Sequence, residues 1–342
     1  WMLTGGAGYI GAHVIRSLQA SGPDVVVLDD LSTGLARKVP QDVPLVQANV
    51  GDSAAVTAAL REHDVAGVVH LAAKKAVGES VERPEFYYRE NVDGMLTLLE
   101  SMAQAGTRNF VYSSSAAVYG TPAEEFVSED AVLQPESPYG QTKVIGEWMT
   151  RNAAVNRDLS WISLRYFNVA GAASPALGDT SVFNLIPMVF RALSEGKRPQ
   201  VFGDDYPTPD GSCIRDYIHV ADLADAHVAA AAACEAQTLG TAYNVGRGQG
   251  VSVIEVMDMV SETIGKDVAP QIAPRRPGDL AQHVTSVDKS DREPGWSTTH
   301  DLHMNDQFHS SDLHFGHARI AEFSGRPFPH TPDGVLEMNE AI

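Results

Sequence analysis

Short apolar runs alternate with amphipathic stretches along the first half of the chain. The runs at 25–28 and 65–71 are apolar nearly throughout, as strands buried on both faces of a parallel sheet are. Before the first of them, Ile10, Val14 and Leu18 recur every four residues and predict one face of a helix. The alternation predicts an α/β fold with a doubly wound parallel sheet, whose ligands lie beyond the carboxyl ends of the strands.

The regular alternation loosens after residue 167, where loops rich in Pro, Gly and Asp take over. We therefore expect a Rossmann-type lobe over 1–167 and a smaller α/β lobe over 168–305, some of whose segments return to the first lobe. The stretch 306–342 is expected to be an atypical, loosely packed tail without function. Helices are predicted over 53–62 and, as a packed Ala-rich helix, over 224–233.

A glycine-rich turn follows the first apolar residues, so the first predicted strand is very short. The turn contains Gly5, Gly8, Tyr9, Ile10 and Gly11, at the point where a strand passes into a helix N-terminus. Backbone N–H groups and the helix dipole favour an anion there, and the missing Cβ atoms let it approach closely. The pattern predicts a site for the pyrophosphate of a dinucleotide.

An acidic pair stands at the end of the next predicted strand, about 20 positions further on, as the dinucleotide fingerprint requires. Asp29 and Asp30 can accept hydrogen bonds from the hydroxyls of the adenosine ribose. Their negative charge would repel a 2′-phosphate, so NAD is favoured over NADP. The alternative interpretation is an ordinary glycine turn followed by two solvated aspartates.

A tyrosine and a lysine stand one helical turn apart after Ser137-Pro138, a typical N-cap and first helical position. A free tyrosine, with a pKa of about 10, is a poor base at neutral pH. An ammonium at Lys143 and an oxidised nicotinamide would both favour the phenolate of Tyr139. Ser115, at the end of a preceding strand, could share a substrate hydroxyl with it. Tyr139 and Lys143 alone would more often be an ordinary pair on a solvated helix face.

Several longer blocks carry a family resemblance that covers residues 1–305. They are 4–11, 75–80, 113–120, 137–140, 165–168, 215–220 and 274–279. In these blocks the chain resembles the epimerase subgroup of the extended short-chain dehydrogenase/reductase family. The resemblance implies an NAD-dependent isomerase that interconverts UDP-galactose and UDP-glucose. C4 is oxidised to a 4-keto sugar, the sugar turns over, and C4 is reduced on its other face.

The resemblance also implies roles for single positions. Tyr139 is the catalytic base, Ser115 is its partner on the sugar O4, and Lys143 lowers the tyrosine pKa and holds the nicotinamide ribose. The further cofactor contacts that it implies are Asn49, Val50, Leu71, Ala72, Lys75, Asn91, Ser113 and Tyr166. The substrate contacts that it implies are Lys75, Phe167, Asn168, Asn184, Arg215, Arg276 and Asp279.

The chain departs from the family pattern at three places. Asn49 stands where an Asp is usual, although an amide can still hydrogen-bond there. Ala73-Lys74 replaces a Gly followed by an apolar residue, which alters the packing beside the cofactor. His283 occupies a position that often gauges an N-acetyl group, and its moderate bulk favours sugars that are not acetylated.

Composition limits the partners. A formal charge of -19 over 342 residues argues against nucleic acid and anionic membranes as partners. A UDP-sugar remains compatible, because Arg215 and Arg276 are forked, permanently charged donors for a diphosphate. Two cysteines, no signal peptide and no apolar run of about 20 residues indicate a cytoplasmic protein. The resemblance further implies a homodimer.

The last stretch of the chain carries a different resemblance. Residues 310–317 resemble the opening block of calcineurin-like metallophosphoesterases, in which the Asp and His of Asp-x-His bind a metal. The later blocks of that family have no counterpart here, and two ligands do not make a catalytic metal centre. We therefore expect Asp312, His314 and His317 to form no metal site.

Alternative functions remain open at this point. A nucleotide-sugar dehydratase or decarboxylase of the same family would share the fold. Dehydratases resemble a Thr-Asp-Glu pattern where this chain has Ser115-Ala116-Ala117, so elimination lacks its carboxylates. A catalytically impaired cofactor-binding module is the alternative from another class, and phosphoesterase activity through the tail is a third.

Overall fold

The computed structural model describes residues 1–122, 124–181, 183–236, 239–276, 279–289 and 296–300. The strands are β1 (Met2–Thr4), β2 (Val26–Asp29), β3 (Leu45–Gln47), β4 (Gly67–His70), β5 (Asn109–Ser113), β6 (Phe126–Val127), β7 (Ser160–Tyr166), β8 (Asn168–Ala170), β9 (Gln200–Phe202), β10 (Ile214–His219), β11 (Gly240–Val245), β12 (Gly250–Ser252), β13 (Gln271–Ala273) and β14 (Gln282–Thr285). The α-helices are α1 (Tyr9–Ser21), α2 (Ser53–Glu62), α3 (Val77–Glu82), α4 (Pro84–Tyr88), α5 (Gly94–Ala105), α6 (Pro138–Val155), α7 (Leu185–Ser194), α8 (Val220–Ala236) and α9 (Val253–Ile264).

Among the described residues, a seven-stranded sheet forms the larger lobe, in the order β11-β7-β5-β4-β1-β2-β3. Every pair along it is parallel, which confirms the predicted doubly wound sheet. Thr4 at the end of β1 is level with Leu28 on one side and His70 on the other. The strand order reverses beside β1, so the glycine turn opens into the crevice where such sheets bind ligands.

Side chains of the sheet alternate between two apolar layers. Leu3 and Val27 pack with α1 and α8 on one face, whereas Met2 and Val68 pack with α2 and α5 on the other. Successive residues of a strand point to opposite faces, so near-continuous apolar runs bury both sides of the sheet. The Ala-rich helix expected over 224–233 lies inside α8 and packs on this sheet.

A smaller lobe is built mainly from the second half of the chain. Among the described residues it has a five-stranded sheet in the order β12-β10-β14-β6, with β8 also paired to β10, and a two-stranded sheet of β13 and β9. Helices α7 and α9 cover an apolar cluster on it. Segments 220–236 and 240–245 instead pack on the larger sheet. The domain boundaries at 167 and 305 stay predictions.

Within the described ranges, no helix has both the length and the apolar character that crossing a membrane requires.

Candidate active site

The turn after β1 has room only for glycine at two positions. Gly5 has a φ of 73°, and a Cβ there would lie 2.7 Å from the backbone N of Ala72. A Cβ on Gly11 would lie 2.5 Å from the carbonyl oxygen of Gly5. Gly8 N–H donates to that same carbonyl at 3.1 Å, which fixes the turn. The backbone therefore forms a narrow cradle at the N-terminus of α1, directly beside the end of β4.

The two aspartates of the acidic pair have different environments. Asp29 is buried, and its carboxylate accepts from Ala7 N at 3.0 Å and from Leu31 N at 2.8 Å. These hydrogen bonds hold the glycine turn in place, whereas Asp30 is partly exposed to solvent. Asp29 thus stabilises the cradle, and Asp30 is the more exposed of the two.

Asp30 remains ionised because its hydrogen bonds outweigh its burial. Burial alone raises the pKa of Asp30, but bonds from Ser32 and Asn49 bring that pKa below its ordinary value. Asn49 Nδ2 donates to Asp30 at 3.0 Å, so the amide is used at the position where the family has an acid. Lys74 Nζ also reaches this edge and donates to Ser32 Oγ at 3.0 Å.

Some of the other expected cofactor residues lie beside the glycine turn, and others lie in the core. Asn91 is buried and accepts from Lys74 N at 2.8 Å, so it holds the loop after β4 in place. Val50 packs in the apolar layer with α2 and α5. Lys75 is exposed, whereas Leu71 and Ala72 line the floor beside Gly5.

Tyr9 does not present a free hydroxyl to the cradle. Its hydroxyl donates to the carbonyl of Gly171, in the loop after β8. Ile10, the next residue, packs against the core on the α1 side of the sheet. Sequence analysis found both positions through the glycine pattern, but the long-range bond of Tyr9 had no local signal.

The predicted helix start after Ser137 is confirmed. Ser137 caps α6 and accepts from Gly140 N at 3.1 Å, with Pro138 as the first helical residue. This places Tyr139 and Lys143 on one buried face of α6. Lys143 Nζ lies 5.9 Å from the centre of the Tyr139 ring. The same ammonium group donates to the carbonyl of Ser113 at 2.7 Å, which fixes it against the end of β5.

Ser115 completes this group. Its Oγ accepts from Ala117 N at 3.2 Å, and its side chain lies near the Tyr139 hydroxyl. Burial raises the pKa of Tyr139, and the nearby Ser115 hydroxyl opposes the rise. Burial lowers the pKa of Lys143 to about 8, against an opposing effect of Glu147. In the protein alone Tyr139 is therefore a neutral phenol, and its activation by Lys143 and a bound nicotinamide stays a prediction.

A buried ion pair joins α6 to the ends of β5 and β7. Arg165 Nη2 and Glu147 Oε2 are 2.7 Å apart, and Ser114 Oγ donates to the same carboxylate at 2.6 Å. Glu147 lies four residues after Lys143, so it faces the same side of α6. Tyr166, next to Arg165, is near the Ser113 side chain, and burial raises the pKa of its phenol. Sequence analysis missed Glu147, although its spacing from Lys143 was a usable signal.

A cleft of about 560 Å³ lies on the smaller lobe. It is lined by the implied UDP contacts Asn168, Asn184, Arg215, Arg276 and Asp279. The fold therefore brings together five positions that are spread over more than 100 residues of sequence. Phe183 and Phe202 also line it, and sequence analysis did not single them out.

The cationic side of this cleft is arranged around Asp279. Arg276 Nε donates to its Oδ2 at 2.8 Å, and Arg215 Nη2 lies 3.9 Å from its Oδ1. The Arg276 guanidinium also stacks 4.5 Å from the centre of the Phe202 ring. Arg215 donates to the carbonyl of Leu280 at 2.8 Å as well. Both guanidinium groups are thereby oriented at the edge of the cleft.

The rings of Phe167 and His283 pack together beside β10, the strand that carries Arg215. Their centres are 4.9 Å apart, and His283 is level with Arg215 in the pairing of β10 with β14. Burial lowers the pKa of His283 to about 4, and Arg215 adds to that effect. His283 is thus a neutral, packed ring.

The residues present fit a bound dinucleotide. The cradle excludes side chains at Gly5 and Gly11, so only backbone faces the place that a pyrophosphate would take. An ionised Asp30 stands at the end where an adenosine ribose would lie. Tyr139 and Lys143 lie on α6, and Lys143 contacts the end of β5, where a nicotinamide would lie.

Among the residues that the structure describes, no three His, Cys, Asp or Glu side chains are grouped to hold a metal ion. The tail residues Asp312, His314 and His317 lie outside the described residues, and so does the whole stretch 306–342.

A doubly wound sheet with a dinucleotide cradle and a Ser115, Tyr139 and Lys143 group defines an extended short-chain dehydrogenase/reductase. Within that class, the model of the NAD dependent epimerase/dehydratase family matches residues 1–246. The chain belongs to this family, as the sequence blocks predicted.

Relatives with this fold cover most of the chain. A UDP-glucose 4-epimerase of Azospirillum brasilense is 44% identical over 307 residues, which span 88% of this chain and 87% of that protein. The crystal structure of UDP-glucose 4-epimerase from Brucella ovis in complex with NAD matches with a TM-score of 0.88 at 36% identity, over 92% of this chain and 98% of that one. The enzyme from Bifidobacterium longum in complex with NAD+ and UDP matches with a TM-score of 0.83 at 35% identity, over 90% and 96%.

Proposed function

We propose that this protein is an NAD-dependent isomerase that interconverts UDP-galactose and UDP-glucose by inverting C4. The observation that carries the proposal is the group formed by Ser115 and the buried Tyr139 and Lys143, in the same lobe as the glycine cradle. Relatives that are named UDP-glucose 4-epimerases match along nearly the whole chain and support the same reaction.

Each member of this group has a separate task in the proposal. Tyr139 takes the proton from the sugar 4-hydroxyl and later returns it to O4. Ser115 holds that oxygen, because its hydroxyl lies near that of Tyr139. Lys143, fixed by the Ser113 carbonyl, holds the nicotinamide ribose and favours the phenolate. NAD, when bound, supplies the hydride acceptor and donor at C4, so the reaction has no net redox change.

Cofactor binding is proposed to use the cradle and its neighbours. Gly5, Gly8 and Gly11 leave backbone amides for the pyrophosphate, and Asp30 accepts from the adenosine ribose. The relatives from Brucella ovis and Bifidobacterium longum, both solved with this cofactor, support the assignment.

The cleft on the smaller lobe is proposed to bind UDP. Arg215 and Arg276 supply forked donors for the diphosphate, and Asn168 and Asn184 supply amides. If binding energy is concentrated on the nucleotide, the keto sugar is held loosely enough to turn over and present its other face. His283, packed on Phe167, supports the preference for sugars without an N-acetyl group.

Elimination is a weaker candidate for the same site. A dehydratase needs an acid and a base beside the serine, and this chain has Ala116 and Ala117 there. Decarboxylation, or a cofactor-binding module without turnover, would leave UDP-galactose unchanged.

One experiment tests the reaction and cofactor retention together. Purified protein is mixed with UDP-galactose without added NAD, and UDP-glucose is followed by proton NMR of the anomeric signals. We expect UDP-glucose to appear. Appearance only after NAD is added would mean that the cofactor is lost during purification. No product under either condition would contradict the proposal.

We also propose a homodimer that pairs through helices α5 and α6. Large apolar side chains on these helices are exposed, among them Leu96 at 48% and Trp148 at 50%. Apolar surface of this kind marks interaction sites. Light scattering after size exclusion should give twice the chain mass, and Trp148→Glu should shift the protein toward the monomer. A monomeric parent protein would contradict this proposal.

We propose a cytoplasmic location as well. Cys213 and Cys234 are both free thiols, which suits a reducing compartment. Fractionation of cells that express the protein should recover it with cytoplasmic markers, and recovery with an extracellular or membrane fraction would contradict the proposal.

A further inference from the structure

A buried lysine joins the cofactor lobe to the loop that borders the UDP cleft. Lys38 follows the Asp30 loop, is 2% exposed, and its Nζ donates to the carbonyl of Gly178 at 2.6 Å. Burial lowers the pKa of Lys38, and the charge of Asp179 opposes that effect. A buried ammonium is costly unless its N–H donors are satisfied, and the bond to Gly178 satisfies one of them and holds the chain next to Asp179.

Asp179 in turn fixes a side chain of the cleft. Its Oδ1 accepts from Ser181 N at 2.9 Å, and its Oδ2 accepts from Asn184 Nδ2. Asn184 is the N-cap of α7 and lines the cleft. A continuous set of contacts therefore runs from Lys38 through Gly178 and Asp179 to an amide that faces the nucleotide site.

The other end of the same loop is attached to α1. The Tyr9 hydroxyl donates to the carbonyl of Gly171, and His13 Nε2 accepts from Ala173 N at 3.0 Å. Burial lowers the pKa of His13 to about 4, so its ring stays neutral and keeps this acceptor at neutral pH. The loop 171–179 is thus held at one end by α1, which begins at the cofactor cradle, and at the other end by Lys38.

We propose that Lys38 is a positioning residue for UDP-sugar binding, which acts by holding Gly178 and Asp179 so that Asn184 faces the cleft. The inference rests on the proposed function, because it takes the cleft as the UDP site. Lys38 makes no contact with Ser115, Tyr139 or Lys143 that would link it to proton transfer. Its loss should therefore weaken substrate binding and leave the chemical step nearly unchanged.

The test uses the full chain with NAD supplied and compares Lys38→Met with Arg37→Met. Arg37 is the preceding residue of the same short helical turn and is exposed, so it is a matched control. UDP affinity is measured by calorimetry, and kcat and KM are measured with UDP-galactose. For Lys38→Met we expect the UDP Kd and the KM to rise about tenfold, the equivalent of one hydrogen bond to a charged group, with kcat within about twofold. Arg37→Met should match the parent protein.

A double-variant cycle separates positioning from general destabilisation. If Lys38 acts through Asp179, then Lys38→Met combined with Asp179→Asn should bind UDP no more weakly than the weaker single variant. Losses that multiply, or a fall in kcat with unchanged KM, would overturn the proposal. If Lys38→Met does not fold, Lys38→Gln takes its place, and unchanged UDP affinity there would also overturn it. A parent protein that binds no UDP would instead refute the proposed function.

Discussion

Gly11→Ala tests the cofactor cradle directly, because two physical effects predict opposite results. Gly11 lies in the first turn of α1, where alanine has a helix propensity better by about 1 kcal/mol. Its new Cβ would lie 2.5 Å from Gly5 O and 2.6 Å from Gly6 Cα, whereas ordinary contacts begin at 3.4 Å. Both neighbours are backbone atoms that cannot rotate away. The turn must therefore retreat by about 0.9 Å, the difference between 3.4 Å and 2.5 Å.

The steric cost of the new methyl group should outweigh the gain in helix propensity. Inserting a methyl group into such a site costs about 1–3 kcal/mol. Such a displacement moves the backbone amides away from the place that the pyrophosphate would take. Weakening one hydrogen bond to a charged group lowers the affinity for NAD about tenfold or more. We expect Gly11→Ala to lower both Tm and the NAD content of the purified protein.

The assay measures NAD released by denaturation, per chain, and Tm with and without added NAD. Gly78→Ala is the matched control, since a Cβ on this exposed glycine of α3 meets nothing within 4 Å. It should keep both the Tm and the NAD content of the parent protein. The reasoning fails if Gly11→Ala retains as much NAD as Gly78→Ala at an equal Tm.

Further expectations concern the catalytic group, the buried ion pair and acid stability. Tyr139→Phe should lower turnover by about two orders of magnitude or more, as for loss of a positioned base, while NAD stays bound; full activity would exclude Tyr139 as the base. Glu147→Gln leaves the Arg165 charge uncompensated, so thermal unfolding should show a loss of about 3–5 kcal/mol, and an unchanged Tm would contradict it. Burial lowers the pKa of several described histidines from 6.5 to about 3 or 4, namely His13, His70, His227 and His283. Below pH 6.5 the unfolded chain therefore binds protons that the folded protein does not, and stability should fall by about 1.4 kcal/mol per pH unit for each histidine. A Tm that stays flat from pH 7 to pH 5 would refute this.

Local chemistry made the cradle and the catalytic helix predictable. Gly11, whose added Cβ would meet Gly5 and Gly6, and the Ser137-Pro138 start of α6 act on nearby residues of the chain, so their effect is visible in the sequence. The helix expected over 53–62 is the observed α2, capped by Asp52. In each case the determining contacts span only a few residues.

The different environments of Asp29 and Asp30 were partly predictable. Residues two apart in a strand share a face, and Val27 packs on the α1 side of the sheet. Asp29 therefore points toward the glycine turn, and Asp30 does not. Sequence analysis treated the pair as equivalent because it counted positions without following this alternation.

Contacts between the lobes could not be predicted in this way. Lys38 and Gly178 are 140 residues apart, and Tyr9 and Gly171 are 162 apart. The small sheet joins strands of two to six residues, such as β6 with β14, which are too short to show a period. Only the folded topology brings these partners together.

The acidity of the whole chain limits how the cleft that we propose for UDP can bind an anion. A net charge of -19 repels anions at long range, so a diphosphate must be bound by local, oriented charge. Asp279 holds Arg276 through an exposed pair, and such pairs contribute at most about 1 kcal/mol. A diphosphate with more negative charge can therefore replace Asp279 as the partner of Arg276 at little cost. The carboxylate keeps the guanidinium in place before the ligand arrives and does not compete strongly once it is bound.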